Sequence, residues 1–335
     1  MSADGPPPGP SEGAEARFNQ AATLHQQGKL AEAADAYRAA LALRPDLVVG
    51  HYNLGSALKA LGELDEAAAS YRKAIALQPG FHAAHYNLAN TLRDLGGGDD
   101  AIASYRKAIA LKPDFAEAYN NLGLVYQAQG RFDQAAENYR KAIAIQPGFA
   151  DPHNNLGSAL DALGLAEVAV ASYRRALELD ETPEYKANFV RCIRQRTFTR
   201  ADPALKRLVA RALAEPWAAP SELAKAAVSL IRTDPAIDKV IDRAARAWPR
   251  LLPAAELFGG AGPAPLASDP LLQALLENTP IADVALERCL TMVRAALLEV
   301  ASATSESAIS PELLTFDCAL ARQCFINEYV FACSG

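Results

Sequence analysis

Five asparagines recur in the N-terminal half of the chain at a constant spacing of 34 residues: Asn19, Asn53, Asn87, Asn121 and Asn155. Each carries a short carboxamide, which offers a hydrogen-bond donor and an acceptor side by side and exchanges no proton near neutral pH. This pair of groups matches the backbone amide of an extended polypeptide. The chemistry indicated is therefore main-chain binding, and the alternative is that each amide bonds only within its own part of the fold.

Metal binding is the other chemistry to consider, and the spacing argues against it. His51, His85 and His153 share one position of the repeat, so they lie about one helix diameter, ~10 Å, apart, whereas zinc ligands lie ~2 Å from the ion. The five cysteines form no C-x-x-C pair: Cys192, Cys289, Cys318, Cys324 and Cys333. We predict no metal site, cofactor or disulfide framework, and we interpret Cys318 and Cys324 as core residues.

The same 34-residue period extends to other residues and predicts a helical hairpin used five times, at 14–47, 48–81, 82–115, 116–149 and 150–183. Glycine at the fifteenth position of each segment can close a first helix in the left-handed conformation. Proline near the end of the first four segments stops a second helix. Small residues at positions eight, twenty and twenty-seven let the two helices approach, and tyrosine at position twenty-four is expected to fill the space between neighbouring segments.

This pattern resembles the tetratricopeptide repeat (TPR), although the tryptophan usual in that family is replaced by residues such as His51 or Tyr119. The resemblance implies an all-α fold: a TPR superhelix (αα solenoid) of five repeats plus a capping helix, followed by an irregular helical region. A single repeat cannot bury its apolar face alone, so the stack is the unit that folds. We predict a disordered lead at 1–13, the capping helix at 184–198 and the helical region at 199–335.

The family resemblance assigns positions two, five, six, nine and twelve to the concave surface. We call the five asparagines at position six the asparagine ladder. These repeats are similar to those of O-GlcNAc transferase, in which such a ladder holds substrate peptides. The predicted peptide-binding groove comprises the ladder with six further residues: Tyr52, Tyr86, Asn120, Asn154, Lys59 and Arg93. The aromatic and basic members predict a preference for acidic or aromatic-rich peptide in the N-terminal half. Alternatively, they are ordinary solvated residues.

The charge pattern argues against nucleic-acid and membrane partners. The net charge of −6 provides no basic field. Basic pairs at Arg72-Lys73, Arg106-Lys107 and Arg140-Lys141 are interleaved with acidic residues, so we interpret them as a solvated helix face. The N-terminus has neither the basic start nor the apolar stretch of a signal peptide, and the chain contains no apolar run of about 18 residues. A cytoplasmic location is therefore expected.

Residues 199–335 lack the period. Helix starts are indicated by an N-cap residue followed by proline at Asp202-Pro203, Asp234-Pro235, Asp269-Pro270 and Ser310-Pro311. Periodic apolar residues predict a helix at 284–300 with one face formed by Leu286, Leu290, Val293, Leu297 and Val300. A second helix is predicted at 311–331 with a face formed by Leu313, Phe316, Leu320 and Cys324. The stretch "FGGAGPAP" (258–265) lacks a Walker lysine and a flanking strand, so we interpret it as a linker.

Two stretches, "DPLLQALLENTPIADVALERCLTMVRAALL" and "CALARQCFINEYVF", resemble the helical segment of bacterial TPR proteins that carry a SAM-dependent methyltransferase domain. The resemblance implies a catalytic domain further along, but no glycine-loop unit for SAM follows. An apolar run at 325–331 lies close to the last residue, which predicts a truncated product or a fragment.

These observations favour a protein–protein interaction adaptor that binds extended peptides and is not an enzyme as it stands. The alternative is the substrate-recruiting part of a TPR methyltransferase whose catalytic domain is missing. A glycosyltransferase arm follows from the repeat resemblance but has no support in residues 199–335. The expected partner is a protein or peptide, and self-association into a homo-oligomer stays open.

Overall fold

The computed structural model describes residues 10–303, 313, 315–321 and 323, and every regular element in these ranges is a helix. The chain divides into two compact units, with the boundary after Leu179. Several predictions lie outside the described residues: the lead up to residue 9, the helix start at Ser310-Pro311, the cysteines at 324 and 333, and the apolar run near the last residue.

The first unit is a stack of paired helices, as the period predicts. Its elements are α1 (Pro10–Gln26), α2 (Leu30–Leu43), α3 (Val48–Leu61), α4 (Leu64–Leu77), α5 (His82–Asp94), α6 (Gly98–Leu111), α7 (Ala116–Ala128), α8 (Phe132–Ile145), α9 (Ala150–Ala162) and α10 (Ala166–Leu179). Odd-numbered helices are the first helices of the five hairpins, and even-numbered helices are the second. Helix α1 begins at Pro10, so residues 10–13 are helical and do not belong to a disordered lead.

Glycine and proline end the helices where the sequence indicates. Gly62 follows α3 with φ of 85°, in the left-handed region, and its N–H donates to the carbonyl of Lys59 at 3.0 Å. Glycine is the residue that adopts this conformation without steric cost. Helix α4 ends at Leu77, and Gln78 has φ of −135° and ψ of 88°. A residue before proline avoids the helical region because the proline ring clashes with it, so Pro79 stops the helix two residues early.

The tyrosine at position twenty-four packs inside its own hairpin, which corrects the prediction that it lies between hairpins. A Cβ atom added to Gly123 would lie 2.5 Å from Cε1 of Tyr139, and one added to Gly157 would lie 2.9 Å from the ring of Tyr173. The ring therefore occupies the space that glycine leaves on the facing helix. These rings are fully buried, and burial raises the pKa of the equivalent Tyr71 to about 12.

The histidines at position four hold the turn that joins successive hairpins. The Nε2 atoms of His51, His85 and His153 lie 2.9, 3.0 and 3.2 Å from the carbonyl oxygens of Pro45, Pro79 and Pro147 respectively. A carbonyl oxygen only accepts, so each Nε2 carries the proton and donates. Burial lowers the pKa of His153, and the bond to Pro147 partly opposes that shift. The regular recurrence of histidine is therefore explained by structure.

The packing of the helices shows which side of the stack is the inner side. Each first helix contacts the next first helix, in the pairs α1–α3, α3–α5, α5–α7 and α7–α9. Among the described helices, successive second helices do not pack as closely on one another. In a curved stack, the elements on the inside of the curve lie nearer together. The first helices therefore line the inner surface, and the second helices form the outer surface.

The second unit consists of irregularly packed helices. Its elements are α11 (Pro183–Ile193), α12 (Pro203–Ala214), α13 (Pro220–Ile231), α14 (Pro235–Ala247), α15 (Ala254–Phe258), a 3-10 helix (Gly259–Ala261), α16 (Ala264–Ala267), α17 (Pro270–Asn278) and α18 (Val284–Ala303). Asp202, Asp234 and Asp269 cap α12, α14 and α17 as predicted, each accepting from two backbone N–H groups. The role of α11 as a cap of the fifth repeat stays a prediction.

The apolar face predicted for 284–300 is confirmed at Leu286, Leu290, Val293 and Leu297, all of which are buried. Two other predictions in this region are wrong. The glycine-rich stretch at 258–265 is partly helical and not a simple linker. Cys318 is exposed and does not belong to the core, whereas Phe316 and Leu320 of the same segment are buried.

Candidate functional site

The asparagine ladder runs along the inner surface of the stack. Asn53, Asn87, Asn121 and Asn155 lie on the first helices α3, α5, α7 and α9, and each is half-buried. Asn19 occupies the equivalent position on α1 and is exposed. Because the first helices line the inner curve, the ladder forms one row of carboxamides on that surface.

The carboxamide nitrogens of the ladder bridge successive repeats. Nδ2 of Asn87 donates to the hydroxyl of Tyr52 at 3.0 Å, a residue at position five of the preceding repeat. The same contact recurs one repeat later, where Nδ2 of Asn121 donates to the hydroxyl of Tyr86 at 2.9 Å. One repeat further, Nδ2 of Asn155 donates to Oδ1 of Asn120 at 3.1 Å. Each bond joins residues 35 apart in sequence, so the ladder is part of the contact between repeats.

Asn121 is the centre of a partly buried polar network. Its Nδ2 also donates to Oδ1 of Asn90 at 3.0 Å, and the hydroxyl of Tyr105 donates to the same Asn90 oxygen. Both N–H groups of Asn121 are thus used, and buried polar atoms that are fully bonded specify one arrangement of the neighbouring elements. Sequence reasoning missed Asn90. The signal was its polar side chain at position nine, which the family assigns to the inner surface.

The lateral bonds orient the ladder. With Nδ2 directed at the preceding repeat, the group that remains for a ligand is the acceptor Oδ1. The oxygens of Asn121 and Asn155 receive bonds of 3.4 Å from Nδ2 of Asn120 and Asn154. Bonds of this length lie beyond the usual range for N–H···O contacts, and a carboxamide oxygen has two lone pairs. In Asn87, Asn121 and Asn155 the Oδ1 atom therefore keeps capacity to accept a further hydrogen bond.

Position five differs between the two halves of the stack. Tyr52 and Tyr86 are half-buried, and their rings pack on Phe81 and Phe115 with centroids 4.9 and 4.7 Å apart. Their hydroxyls carry the ladder contacts. Asn120 and Asn154 occupy the same position in the next two repeats but are only 4% and 3% exposed. These two asparagines lie beneath the surface, because their amides bond to the ladder, and they support it from within.

The two basic residues predicted for the groove share one carboxylate. Nζ of Lys59 lies 3.3 Å from Asp94, and a guanidinium nitrogen of Arg93 lies 3.0 Å from the same side chain. One negative charge between two positive charges leaves a net charge of about +1 at this point of the second and third repeats. The pairing is partly exposed, so water and salt screen it.

Neither a metal site nor a membrane-spanning helix is present in the part of the chain that the structure describes. No group of three or more histidine, cysteine, aspartate or glutamate side chains in these ranges is arranged to hold a metal ion. A helix both long enough and apolar enough to span a bilayer is not found in the same part of the chain.

Comparison with protein-family models agrees with the repeat pattern. A model described as TPR repeat matches residues 22–62, 55–96 and 89–130. Two models described as tetratricopeptide repeat match residues 116–149 and 150–183. The resemblances of the repeats to O-GlcNAc transferase, and of residues 199–335 to TPR methyltransferase proteins, find no support in these matches.

Several solved structures are similar to part of this chain. MamA is 31% identical over 53% of this chain and 96% of its own, with a TM-score of 0.49. YrrB, described as a TPR protein with an unusual peptide-binding site, is 22% identical over 51% of this chain and 89% of its own, with a TM-score of 0.47. PilF of Pseudomonas aeruginosa is 20% identical over 55% of this chain and 85% of its own, with a TM-score of 0.49. Comparison with curated proteins found no match.

Proposed function

The chain is a tetratricopeptide-repeat protein over residues 22–183, and we propose that it acts as an adaptor that binds an extended protein segment along the inner surface of this stack. The supporting observation is the orientation of the ladder. The Nδ2 groups of Asn87, Asn121 and Asn155 are bonded to the preceding repeat, which leaves their Oδ1 atoms as acceptors. Backbone N–H groups on one edge of an extended peptide are the matching donors.

The energetics are those of a weak and reversible interaction. Each peptide hydrogen bond contributes roughly 0.5–1.5 kcal/mol net, so four half-buried acceptors contribute on the order of 4 kcal/mol. A free energy of about −4 kcal/mol corresponds to a Kd near 1 mM, and ordering of the peptide opposes even that. Side-chain contacts must therefore supply the affinity beyond this level and all of the sequence preference.

The preference is expected to change along the stack. The second and third repeats combine the half-buried rings of Tyr52 and Tyr86 with the net positive charge around Lys59 and Arg93. Acidic and aromatic side chains of the bound segment complement these groups. Repeats four and five lack both features at the equivalent positions, so they hold the main chain with little sequence preference.

Selection of peptides from a random library displayed on phage, followed by chemical change of the peptide backbone, tests this proposal. A selected peptide is synthesised with and without N-methyl groups at alternate residues, and binding to the full chain is measured by calorimetry. Because the ladder accepts from main-chain N–H groups, methylation on the matching edge should remove binding. Methylation on the other edge should not. Equal binding by all methylated forms would contradict the proposal.

Variants of the ladder provide the complementary test. Asn87→Ala and Asn155→Ala should each weaken binding severalfold, because each removes one acceptor. Asn87→Asp keeps an acceptor, and its carboxylate can accept a hydrogen bond from the hydroxyl of Tyr52, so a neutral peptide should still bind to this variant. Asn278→Ala, on α17, is the matched control for loss of a carboxamide elsewhere in the chain. Circular dichroism checks that every variant is folded. Unchanged peptide binding by the folded alanine variants would refute the proposed role of the ladder in binding.

A further inference from the structure

Two cavities on the outer surface of the stack occupy equivalent places in different repeats. The first, of about 440 Å³, lies between α2 and α4 and is lined by residues that include Arg38, Leu41, Leu54 and Lys73. The second, of about 290 Å³, lies between α6 and α8 and is lined by residues that include Arg106, Ile109, Leu122 and Lys141. We call these cavities the outer notches. Their recurrence shows that the repeat itself builds them.

Each outer notch has apolar residues in its floor and an arginine and a lysine at its edges, and the second notch is also lined by Glu137. The floor comes from position twenty-eight of one repeat and position seven of the next: Leu41 with Leu54, and Ile109 with Leu122. The edges come from arginine at position twenty-five and lysine at position twenty-six: Arg38 with Lys73, and Arg106 with Lys141. An apolar side chain fits the floor, and a carboxylate beside it can pair with the edge cation that has no acidic partner among the described residues, which is Lys73 in the first notch and Arg106 in the second.

Basic residues at positions twenty-five and twenty-six of successive repeats form a stripe on the second helices, which we call the basic stripe. Much of its charge is not neutralised by other side chains of the protein. Among the described residues, no acidic side chain lies within ion-pair distance of the exposed cations Arg72, Lys73, Arg106, Lys107 or Arg140. Other members of the stripe are paired, as Arg38 is with Glu66 at 2.8 Å and Lys141 is with Glu137 at 2.6 Å. The interpretation of the stripe as a self-compensated solvated face is therefore incomplete.

We propose that the outer notches and the unpaired cations between them form a second binding surface, for an acidic polypeptide segment that carries apolar side chains. Leucine-like side chains enter the notches, and the flanking aspartates or glutamates pair with lysine and arginine at their edges. Burial of the apolar side chains favours binding, and the charges add orientation and rate of association. The cations of this surface lie on the second helices, and its floors include Leu54 and Leu122 from the first helices. The ladder amides, by contrast, bond between successive first helices.

A protein ligand fits this surface better than a nucleic acid or an anionic membrane. Acidic residues at position eighteen, Asp65, Asp99 and Asp133, lie exposed in the first turn of the same second helices. They interrupt the positive charge and repel a ligand whose negative charges are continuous. The net charge of −6 also repels a ligand whose negative charges are continuous. A peptide can place its carboxylates only where the cations are, and its apolar residues match the notch floors.

The test uses fluorescein-labelled synthetic peptides and the full chain, with binding measured by fluorescence anisotropy. The probe alternates leucine with pairs of glutamate. In one control peptide serine replaces leucine, and in another lysine replaces glutamate. We expect the glutamate–leucine peptide to bind more tightly than either control, and its affinity to fall as salt is added because the charge contacts are exposed.

The variant Lys73→Glu combined with Lys107→Glu reverses two unpaired cations of the stripe. It should weaken binding of the glutamate–leucine peptide by about tenfold, because each attraction becomes a repulsion of similar size. Lys225→Glu combined with Lys239→Glu makes the same change of net charge at exposed sites of the second unit and should have a much smaller effect. Circular dichroism confirms that both variants are folded.

Three results would overturn the inference. The first is no detectable binding of the glutamate–leucine peptide to the full chain. The second is equal binding of the serine peptide, which would mean that charge acts without the notches. The third is tighter binding of single-stranded DNA or of phosphatidylserine vesicles, with the same loss in the Lys73→Glu, Lys107→Glu variant, which would identify a polyanion surface. The Lys73→Glu, Lys107→Glu variant leaves the ladder residues unchanged. Its loss of binding to the glutamate–leucine peptide would therefore show that the peptide binds to the outer surface and not to the inner one.

Discussion

The Nδ2 group of Asn121 donates to the hydroxyl of Tyr86 at 2.9 Å and to Oδ1 of Asn90 at 3.0 Å, so it ties the fourth repeat to the third. The Oδ1 atom of the same side chain keeps acceptor capacity on the inner surface. One carboxamide can thus hold the stack together and face a ligand. This division follows from the chemistry of the amide, whose donor and acceptor lie on different atoms.

Replacement of Asn121 by alanine should destabilise the stack. The hydroxyl of Tyr86 would lose its donor, whereas Oδ1 of Asn90 would keep only the bond from the hydroxyl of Tyr105. A polar group left without its partner costs about 1–3 kcal/mol when buried. Urea unfolding followed by circular dichroism measures the loss. Asn19→Ala is the matched control, because the exposed side chain at the same position of the first repeat should change stability by less than about 0.5 kcal/mol. Equal effects of the two substitutions would show that the network contributes nothing.

Gly123→Ala should also destabilise, although alanine is normally the better helix former. Its Cβ would lie 2.5 Å from the ring of Tyr139, and Tyr139 is fully buried. Forcing extra volume into a packed core costs roughly 1–3 kcal/mol. Gly148→Ala is the control, since no atom lies within 4 Å of its added Cβ, and it should be neutral or slightly stabilising. Thermal unfolding measures the stability of both variants. A Gly123→Ala variant more stable than the unmodified protein would contradict the packing of Tyr139 against Gly123.

Individual elements in the second unit are tied together by charge as well as by apolar packing. Arg211 on α12 donates to Glu181, just before α11, at 2.6 Å, and it also pairs with Glu215 at 2.7 Å. The hydrogen bonds from Arg211 lower the pKa of Glu181 to about 2. Because these groups are exposed, solvent screens the interaction, and the free energy it contributes is at most about 1 kcal/mol.

The contribution of Glu181 should depend on pH in a defined direction. Its pKa in the folded state, about 2, lies below the ordinary value of 4.5. The stabilisation is therefore fully present above about pH 4.5 and is lost as the pH falls towards 2. Urea unfolding of Glu181→Gln and the unmodified protein should show a small difference at pH 7 that disappears near pH 2. A difference that is the same at both pH values would rule out ionisation of Glu181 as its source.

At the scale of the whole stack, the closely packed repeats within residues 14–179 are neighbours in sequence. Stability in such arrays is approximately a sum of repeat and interface contributions. The three interfaces between the second and the fifth repeat each contain a ladder bond. Damage to one repeat in this part of the stack should therefore weaken the two interfaces that it shares.

Leu122→Ala should test this nearest-neighbour behaviour. Leu122 is 3% exposed in the fourth repeat, and a buried leucine-to-alanine change costs about 2–5 kcal/mol. Native-state hydrogen exchange should show the largest loss of protection in α7 and α8, a smaller loss in the third and fifth repeats, and the least in the first. A uniform loss over all five repeats would mean that the stack unfolds as one cooperative unit.

Sequence periodicity predicts more of the fold than of the site. Glycine at position fifteen and proline near the end of a repeat act through local backbone geometry, so the helix ends around Gly62 and Pro79 could be located without coordinates. The position of Tyr139 could not, because periodicity does not distinguish a ring inside a hairpin from one between hairpins. Asn120 and Asn154 share position five with two accessible tyrosines, yet only packing shows that they are buried.

The repeated spacing alone establishes hairpins, their order and the row of asparagines, because these features depend on residues close together in the chain. Which atom of each carboxamide faces a ligand depends on a partner 35 residues away. The outer notches depend in the same way on side chains from two successive repeats. Both surfaces arise only when the hairpins stack, since hydrogen-bond direction and cavity shape are properties of neighbours in space.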